Sequence, residues 1–318
     1  MAAGMGFMGF ALSALFVIVA SGLKRKEPHS SEEMELRQGM PSPMNLNDTE
    51  LSVQMDLDEG KALQATLEKY AATLPEGATK DLLRSFRVCG ACQNFQRFGE
   101  PNDGGYLMCM DHMYGVTAAY SMGVEHHDKW SGDVAATWHV PVYQMDCTVK
   151  EAAQVCPGCH FFRSCLSAPG GPKPAWTLAE TLQHTGQGAA GDRTLFGKID
   201  IEGSEWGALA AADVSVLRRF RQLVIEFHRL NEGFHHASYL KAMKKLEMAG
   251  LRVVHIHGNN NGPMYSAGEY QIPVVIEATF DSSAQPLAEC LPDQKMRALD
   301  SPNNAVGTEL PPAHLPNF

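Results

Sequence analysis

Lys198-Ile199-Asp200-Ile201-Glu202-Gly203-Ser204-Glu205-Trp206 decides how this chain is read. An apolar run enters it from Leu195, and three carboxylates then fall within six residues, beside a glycine. The pattern predicts a strand over Leu195–Ile201, a turn, and a helix over Trp206–Phe220. Alternation along an extended chain puts Asp200 and Glu202 on one side. Such a cluster raises at least one carboxyl pKa and attracts a metal or a cationic ligand. The plainer alternative is a turn whose acids cap the following helix, Glu205 above all.

Working outward, short apolar runs alternate with helical segments. Strands are expected at Ala118–Val124, Val140–Met145, Gln222–His228, Leu251–His257 and Pro273–Phe280. Helices are expected at Thr177–His184 and at Ala237–Ala249, the latter closed by Gly250. This alternation predicts an α/β fold with a doubly wound, mostly parallel sheet. The last two strands have no helix between them, which predicts an antiparallel edge strand. Ligands in such sheets bind beyond the carboxyl ends of the strands.

Those ends carry the candidate site. The first strand runs into Gly123, where a glycine lets the backbone approach a nucleoside; an ordinary strand-ending turn explains it equally. No G-x-G-x-x-G loop is present, which disfavours a dinucleotide. The second strand ends at Asp146, placed to accept hydrogen bonds from both ribose hydroxyls of a nucleoside, or else to cap the next helix. A later strand ends Ile225-Glu226-Phe227-His228. His228 beside carboxylates is a reasonable general base, although a lone histidine is more often structural. His257-Gly258-Asn259-Asn260 adds polar groups at another strand end or forms a turn.

The formal net charge of −10 argues against a general nucleic-acid binder, because phosphate neutralisation needs clustered Lys and Arg. The expected layout is a hydrophobic anchor or signal over 1–26, a linker with a short helix (Lys61–Leu74) over 27–80, a folded domain over 81–282 and an irregular Pro-containing tail over 283–318. Met5 to Leu23 carries no charge and just spans a bilayer core of about 30 Å at about 1.5 Å per residue. A cleaved secretory signal is the rival reading, weakened by the absence of a basic region ahead of the apolar stretch. Lys24-Arg25-Lys26 would hold the downstream side in the cytosol. Eight cysteines and the sequon Asn47-Asp48-Thr49 favour the lumen. The expectation is a single-pass N-terminal membrane anchor in the secretory pathway. The C-x-x-C pairs Cys89/Cys92 and Cys156/Cys159 leave three states open: disulfides, a four-thiolate zinc site, or free thiols.

Taken together, several segments resemble the FkbM-like methyltransferases and related methyltransferase-like membrane and secreted proteins. The match begins at Arg97-Phe98-Gly99-Glu100-Pro101-Asn102-Asp103-Gly104-Gly105-Tyr106. It continues through Tyr120-Ser121-Met122-Gly123-Val124 and Val142-Tyr143-Gln144-Met145-Asp146, is sharpest at Asp200–Trp206, and closes on Ile276-Glu277-Ala278-Thr279-Phe280. The resemblance implies a Rossmann-like fold of class I methyltransferase type that binds S-adenosylmethionine. The expected reaction is O-methylation, with sugar hydroxyls, lipids, small metabolites and protein side chains all open as acceptors, a small molecule or glycan expected if the domain is lumenal, and no metal expected. By position, Gly123 and Asp146 would hold the cofactor, with Asp103, Gly104 and Gly105 near it. Asp200, Glu202 and His228 would face the cleft as catalytic residues. Two departures stand out. Cys147 follows Asp146 where a proline is common, and Val155–Pro174 is rich in Cys, Gly and Pro, as an insertion would be. Two other functions remain open: a non-catalytic binding module, and a metal-dependent hydrolase or glycosyltransferase built on Asp200 and Glu202.

Overall fold

The computed structural model describes residues 76–125, 128–152, 156–267, 270–291, 298–308 and 310. The hydrophobic segment, the sequon and the helix expected at Lys61–Leu74 lie outside the described residues. No helix among the described residues is long and apolar enough to cross a membrane.

Helix α1 (Glu76–Ser85) leads to β1 (Val88–Gly90) and to the antiparallel hairpin β2 (Phe95–Gly99) and β3 (Gly105–Cys109). Next come β4 (Ala118–Met122), α2 (Lys129–Trp138), β5 (Val142–Met145), β6 (Cys159–Phe162), the short pair β7 (Cys165–Leu166) and β8 (Ala175–Trp176), and α3 (Leu178–His184). The second half runs β9 (Leu195–Ile199), α4 (Glu205–Ala211), α5 (Val214–Leu217), β10 (Phe220–Phe227), α6 (His236–Met248) and β11 (Arg252–Gly258). It closes with β12 (Met264–Ala267), β13 (Tyr270–Pro273), β14 (Ile276–Asp281) and β15 (Pro286–Leu291).

Seven strands form one mixed sheet in the order β11-β14-β10-β9-β4-β5-β6. Strands β10, β9, β4, β5 and β6 run parallel to one another. Strand β14 is antiparallel to both its neighbours, β10 and β11. The last two strands of the sheet, β11 and β14, thus pair antiparallel at one edge, as expected, with β11 outermost and the reversed strand β14 one place in. All six residues of β14 are buried. Its amides and carbonyls need a partner on each side, which an edge position would deny them.

Period-two alternation sorts the sheet into two faces. Leu195, Ile199, Leu223, Ile225 and Phe227 pack with α1, α4 and α6 through Leu82, Phe86, Trp206 and Leu246. Ala119, Phe196 and Val224 face the other way, onto α2 and the β2–β3 hairpin through Trp130, Val134, Phe98 and Tyr106. Lys198 and Glu226 share parity with Phe196 and Val224, so two charged side chains stand on the hairpin face beside Tyr106.

Several boundaries differ from the sequence expectation. The strand expected to reach Ile201 stops at Ile199. The single helix expected over Trp206–Phe220 is broken at Ala212, whose backbone is extended, and Phe220 already belongs to β10. Helix α2 had not been foreseen. The stretch read as an insertion contributes β6, a strand of the sheet itself. The tail is not irregular throughout. Strand β15 pairs with β1, and Asn260 binds the backbone of Asn304 in both directions.

All eight cysteines are paired, as Cys89–Cys290, Cys92–Cys109, Cys147–Cys165 and Cys156–Cys159. Cys89 and Cys92 go to different partners, so the four-thiolate zinc reading is set aside.

Candidate functional site

Strands β9 and β10 end side by side, and the next residues of each build the site. Asp200 follows β9, and its backbone N–H bonds the Met122 carbonyl on β4 at 2.9 Å. At Gly123 a β-carbon would lie 1.6 Å from the Asp200 carbonyl oxygen, so the glycine is required for this approach whatever binds there. The φ of 84° at Gly123 adds a second reason.

The carboxylates do not lie in a simple row. Glu202 sits in a turn with φ 57°, and its side chain is largely exposed. Strand alternation ends before it, yet the turn still carries Asp200 and Glu202 to one point, the His228 Nε2, at 3.9 and 3.6 Å. Asp200 also shares the buried Tyr106 hydroxyl with Glu226, at 3.0 and 3.1 Å. Lys198 lies 3.3 Å from the same Asp200 oxygen, Oδ2, and donates to the Gly123 carbonyl at 2.7 Å. Glu226 Oε1 accepts from Asn259 Nδ2 at 2.7 Å.

Glu205 does not cap its helix. Its buried carboxylate turns back to accept from the Gly203 N–H at 2.9 Å and the His228 N–H at 2.6 Å, and it meets His228 Nδ1 at 3.2 Å. Trp206 Nε1 donates to the His228 carbonyl at 2.8 Å. His228 is thus held at both ends, with Nε2 turned toward Glu226 Oε1 (3.5 Å), Glu202 Oε2 (3.6 Å) and Asp200 Oδ1 (3.9 Å).

The electrostatics follow from burial and crowding. Burial, then Asp200, Glu277 and Asp103, push Glu226 well above the ordinary carboxyl range, with Lys198 opposing. Burial, Asp200 and Glu226 raise Tyr106 well above the usual phenol. Burial pulls Lys198 down, but Asp200, Asp128 and Glu226 more than offset it, and the net shift is upward. Partial desolvation beside the cluster raises Glu202 although its side chain is largely exposed, with His228 opposing and Asp200 adding. Burial lowers the His228 imidazole, yet Glu205, Asp200 and Glu202 together raise it. The net shift of the His228 imidazole is upward.

Asp103 lies in the turn of the β2–β3 hairpin. Gly104 there has φ 77°, and a β-carbon on Gly105 would meet the Glu100 carbonyl at 1.8 Å. This turn brings Asp103 within 4.8 Å of ligand atoms of Glu226 and Glu277. Asn303 joins them, donating to Asp103 at 3.0 Å and to Glu277 at 2.5 Å.

Asp146 departs from expectation. Val124 N–H and Glu125 N–H fill one oxygen, at 3.1 and 2.9 Å, and Thr148 N–H and hydroxyl fill the other, at 2.7 and 2.6 Å. Burial raises its pKa, but the Thr148 and loop-amide hydrogen bonds win and hold it below the usual carboxylate range. Four donors occupy the roughly four acceptor positions of a carboxylate, so Asp146 fastens the Gly123 loop. Of the four donors, the hydroxyl of the exposed Thr148 is the one that a side-chain rotation would remove.

No family model matches the chain, and no curated protein matches it. Among solved structures it is similar to the crystal structure of methyltransferase CalO6, at 13% identity and a TM-score of 0.21. The alignment covers 52% of this chain and 56% of that one, so the chain spans little more than half of that methyltransferase. A likeness this slight carries no argument for the site.

Tyr106, Lys198, Glu226, Glu277 and Asn303 had not been singled out from sequence. One signal was available for two of them. Lys198 and Glu226 are charged residues inside otherwise apolar strand patterns, and a buried charge must be paired.

Proposed function

We propose that the chain is an S-adenosylmethionine-dependent methyltransferase acting on a hydroxyl of a small-molecule or glycan acceptor. The observation that supports this most is strand order. Numbered in chain order, the seven strands of the sheet lie 3-2-1-4-5-7-6. Doubly wound nucleotide-binding folds use 3-2-1-4-5-6 and bind their ligand where the order reverses, between the first and fourth strands. Here those strands are β4 and β9, and they run into Gly123 and Asp200. A reversed seventh strand between the fifth and sixth suits the class I methyltransferase type that the sequence resemblance implies.

The residues present fit the cofactor at its sulfonium end. Asp200, Glu202, Glu205 and Glu226 outnumber Lys198 and His228, which favours a cationic ligand. At the ribose end the fit requires the Thr148 rotation described above. When bound, S-adenosylmethionine supplies an electrophilic methyl carbon on sulfur. The chain's task is then to align acceptor, methyl and sulfur, a source of catalysis that reaches about 7–11 kcal/mol in well-oriented systems.

Asp200 Oδ1 and His228 Nε2 face each other and are the groups able to take the acceptor's proton. Glu205 fixes the imidazole ring, and Tyr106 fixes the Asp200 carboxylate. The four disulfides further support a lumenal site of action, because such bonds persist in oxidising compartments.

The test is incubation of the full-length chain with a trideuteromethyl donor and a panel of glycans and small hydroxylated molecules. A mass increase of one labelled methyl in wild type, lost in both Asp200→Asn and His228→Ala, is expected. Undiminished transfer in both variants would overturn the assignment.

A further inference from the structure

We propose that Asp200, Glu226 and His228 together bind one divalent cation, with Glu202 closing the site at its rim. The site is argued from the side-chain geometry alone and does not rest on the methyltransferase reading.

Each of the three residues offers a ligand atom, and these atoms lie within 4.8 Å of one another. The set is mixed, two carboxylates and an imidazole, which separates it from a patch of surface acids. The His228 side chain is only 11% exposed, and its Nε2 faces three carboxylates at once. It points at oxygens of Glu226, Glu202 and Asp200, 3.5 to 3.9 Å away. Ligands at about 2.0–2.2 Å around a tetrahedral zinc stand roughly 3.4 Å apart. The distances from Nε2, 3.5 to 3.9 Å, are close to this spacing, and the ligand atoms as a set, within 4.8 Å of one another, would draw together around the ion.

The surroundings support each ligand in the manner metal sites require. A ligating histidine commonly gives its other ring nitrogen to a carboxylate, which sets tautomer and orientation. Glu205 Oε1 stands in that place, 3.2 Å from Nδ1. Tyr106 and Lys198 engage Asp200 through Oδ2, leaving Oδ1 toward Nε2. Asn259 and Tyr106 orient Glu226. Lys198 is the opposing feature, a fixed positive charge beside Asp200, but it lies on the Oδ2 side and also bonds the Gly123 carbonyl. Oxygen and imidazole ligands without sulfur suit Zn2+ or Mn2+. A ligating Nε2 is not free to accept a proton, so in the loaded protein His228 positions the cation and Asp200 Oδ1 is shared with it.

The experiment uses the full-length chain, stripped with chelator and dialysed, and titrated calorimetrically with ZnCl2 and with MnCl2. The Mn2+ titration is also followed by paramagnetic broadening of histidine ring signals. One cation per chain is expected, with selective broadening of His228 in wild type. Affinity should fall at least tenfold in Glu226→Gln and in His228→Gln, and by about 10–100-fold in Glu205→Gln, where only the support of the ligand is lost. Circular dichroism checks that each variant is folded, and the wild-type broadening stands without any variant. Failure of folded wild type to bind either ion, or binding that leaves His228 unbroadened, overturns the proposal. S-adenosylmethionine binding, measured on the same preparations, reports on the methyltransferase reading separately.

Discussion

Glu205 Oε1 accepts the His228 backbone N–H at 2.6 Å and lies 3.2 Å from His228 Nδ1, so one buried carboxylate oxygen holds both the chain and the ring of the next strand's terminal histidine. Without it, the His228 and Gly203 amides lose their acceptor. Leaving a buried donor unpaired costs about 1–3 kcal/mol. Glu205→Ala should therefore lower stability by about 2–4 kcal/mol, read by chemical denaturation. A loss under about 0.5 kcal/mol, the range of ordinary surface substitutions, would contradict this role.

The same contact sets a pH response. Burial lowers the His228 imidazole, and Glu205 leads the groups that raise it. Glu205→Gln should move the His228 titration to lower pH. Ring-nitrogen NMR on chelator-treated protein reads this directly, and an unmoved titration would show that Glu205 is not the cause.

His236 shifts in the opposite direction. It is buried, bonds the Leu230 carbonyl through Nε2 at 2.8 Å and meets the Thr79 hydroxyl at Nδ1, 2.9 Å away. The carbonyl can only accept, so Nε2 carries the proton and Nδ1 accepts from Thr79. Burial, with His235 adding, lowers the pKa against the Leu230 hydrogen bond. A depressed folded-state pKa gives stability that is present above the unfolded value, about 6.5, and is lost as pH falls through the folded one. Melting temperature should drop between pH 7.5 and 5.5, and the drop should shrink in His236→Gln. An equal drop in the variant would assign the effect to another group.

Gly123 leaves no room for a side chain. A β-carbon there would overlap the Asp200 carbonyl at 1.6 Å, on a backbone already at positive φ. Gly123→Ala should cost about 3 kcal/mol or more, at the severe end for single substitutions. Gly104→Ala meets no atom within 4 Å and should cost only the strain of its positive φ, about 1 kcal/mol. Equal losses would mean the close approach at Gly123 is not made.

One disulfide, Cys89–Cys290, links elements 201 residues apart, and the other three close short loops. In unreduced, denatured protein no cysteine should alkylate, and after reduction all eight should. Replacing both Cys92 and Cys109 with alanine removes a cross-link spanning 17 residues and should cost about 3 kcal/mol. Free thiols in the native protein would contradict the pairing.

Sequence reading reached the sheet more easily than the site. The apolar runs at Ala118, Val142, Leu195 and Ile276 are strands because residues buried on both faces leave an unbroken hydrophobic signature. The place of β14 was not legible, since strand order depends on which gap the crossover through α6 leaves open. Within the candidate site, Asp200 and His228 were legible as strand-end residues, and the structure brings them together. Tyr106 gave no signal of its own, because its neighbours Asp103, Gly104 and Gly105 carry the motif. Glu277 and Asn303 meet only through tertiary docking of the tail, for which sequence spacing offers no signal. Asp146 was placed correctly at its strand end, but the loop donors that fill it are also set by tertiary structure.

The most direct test of the central claim is calorimetric titration of the full-length chain with S-adenosylmethionine and S-adenosylhomocysteine, beside Asp200→Asn. The account predicts one site per chain in the micromolar range, with S-adenosylmethionine weakened in the variant more than its uncharged product, because the proposal sets this carboxylate against the sulfonium. Folded protein that binds neither compound would contradict the methyltransferase reading.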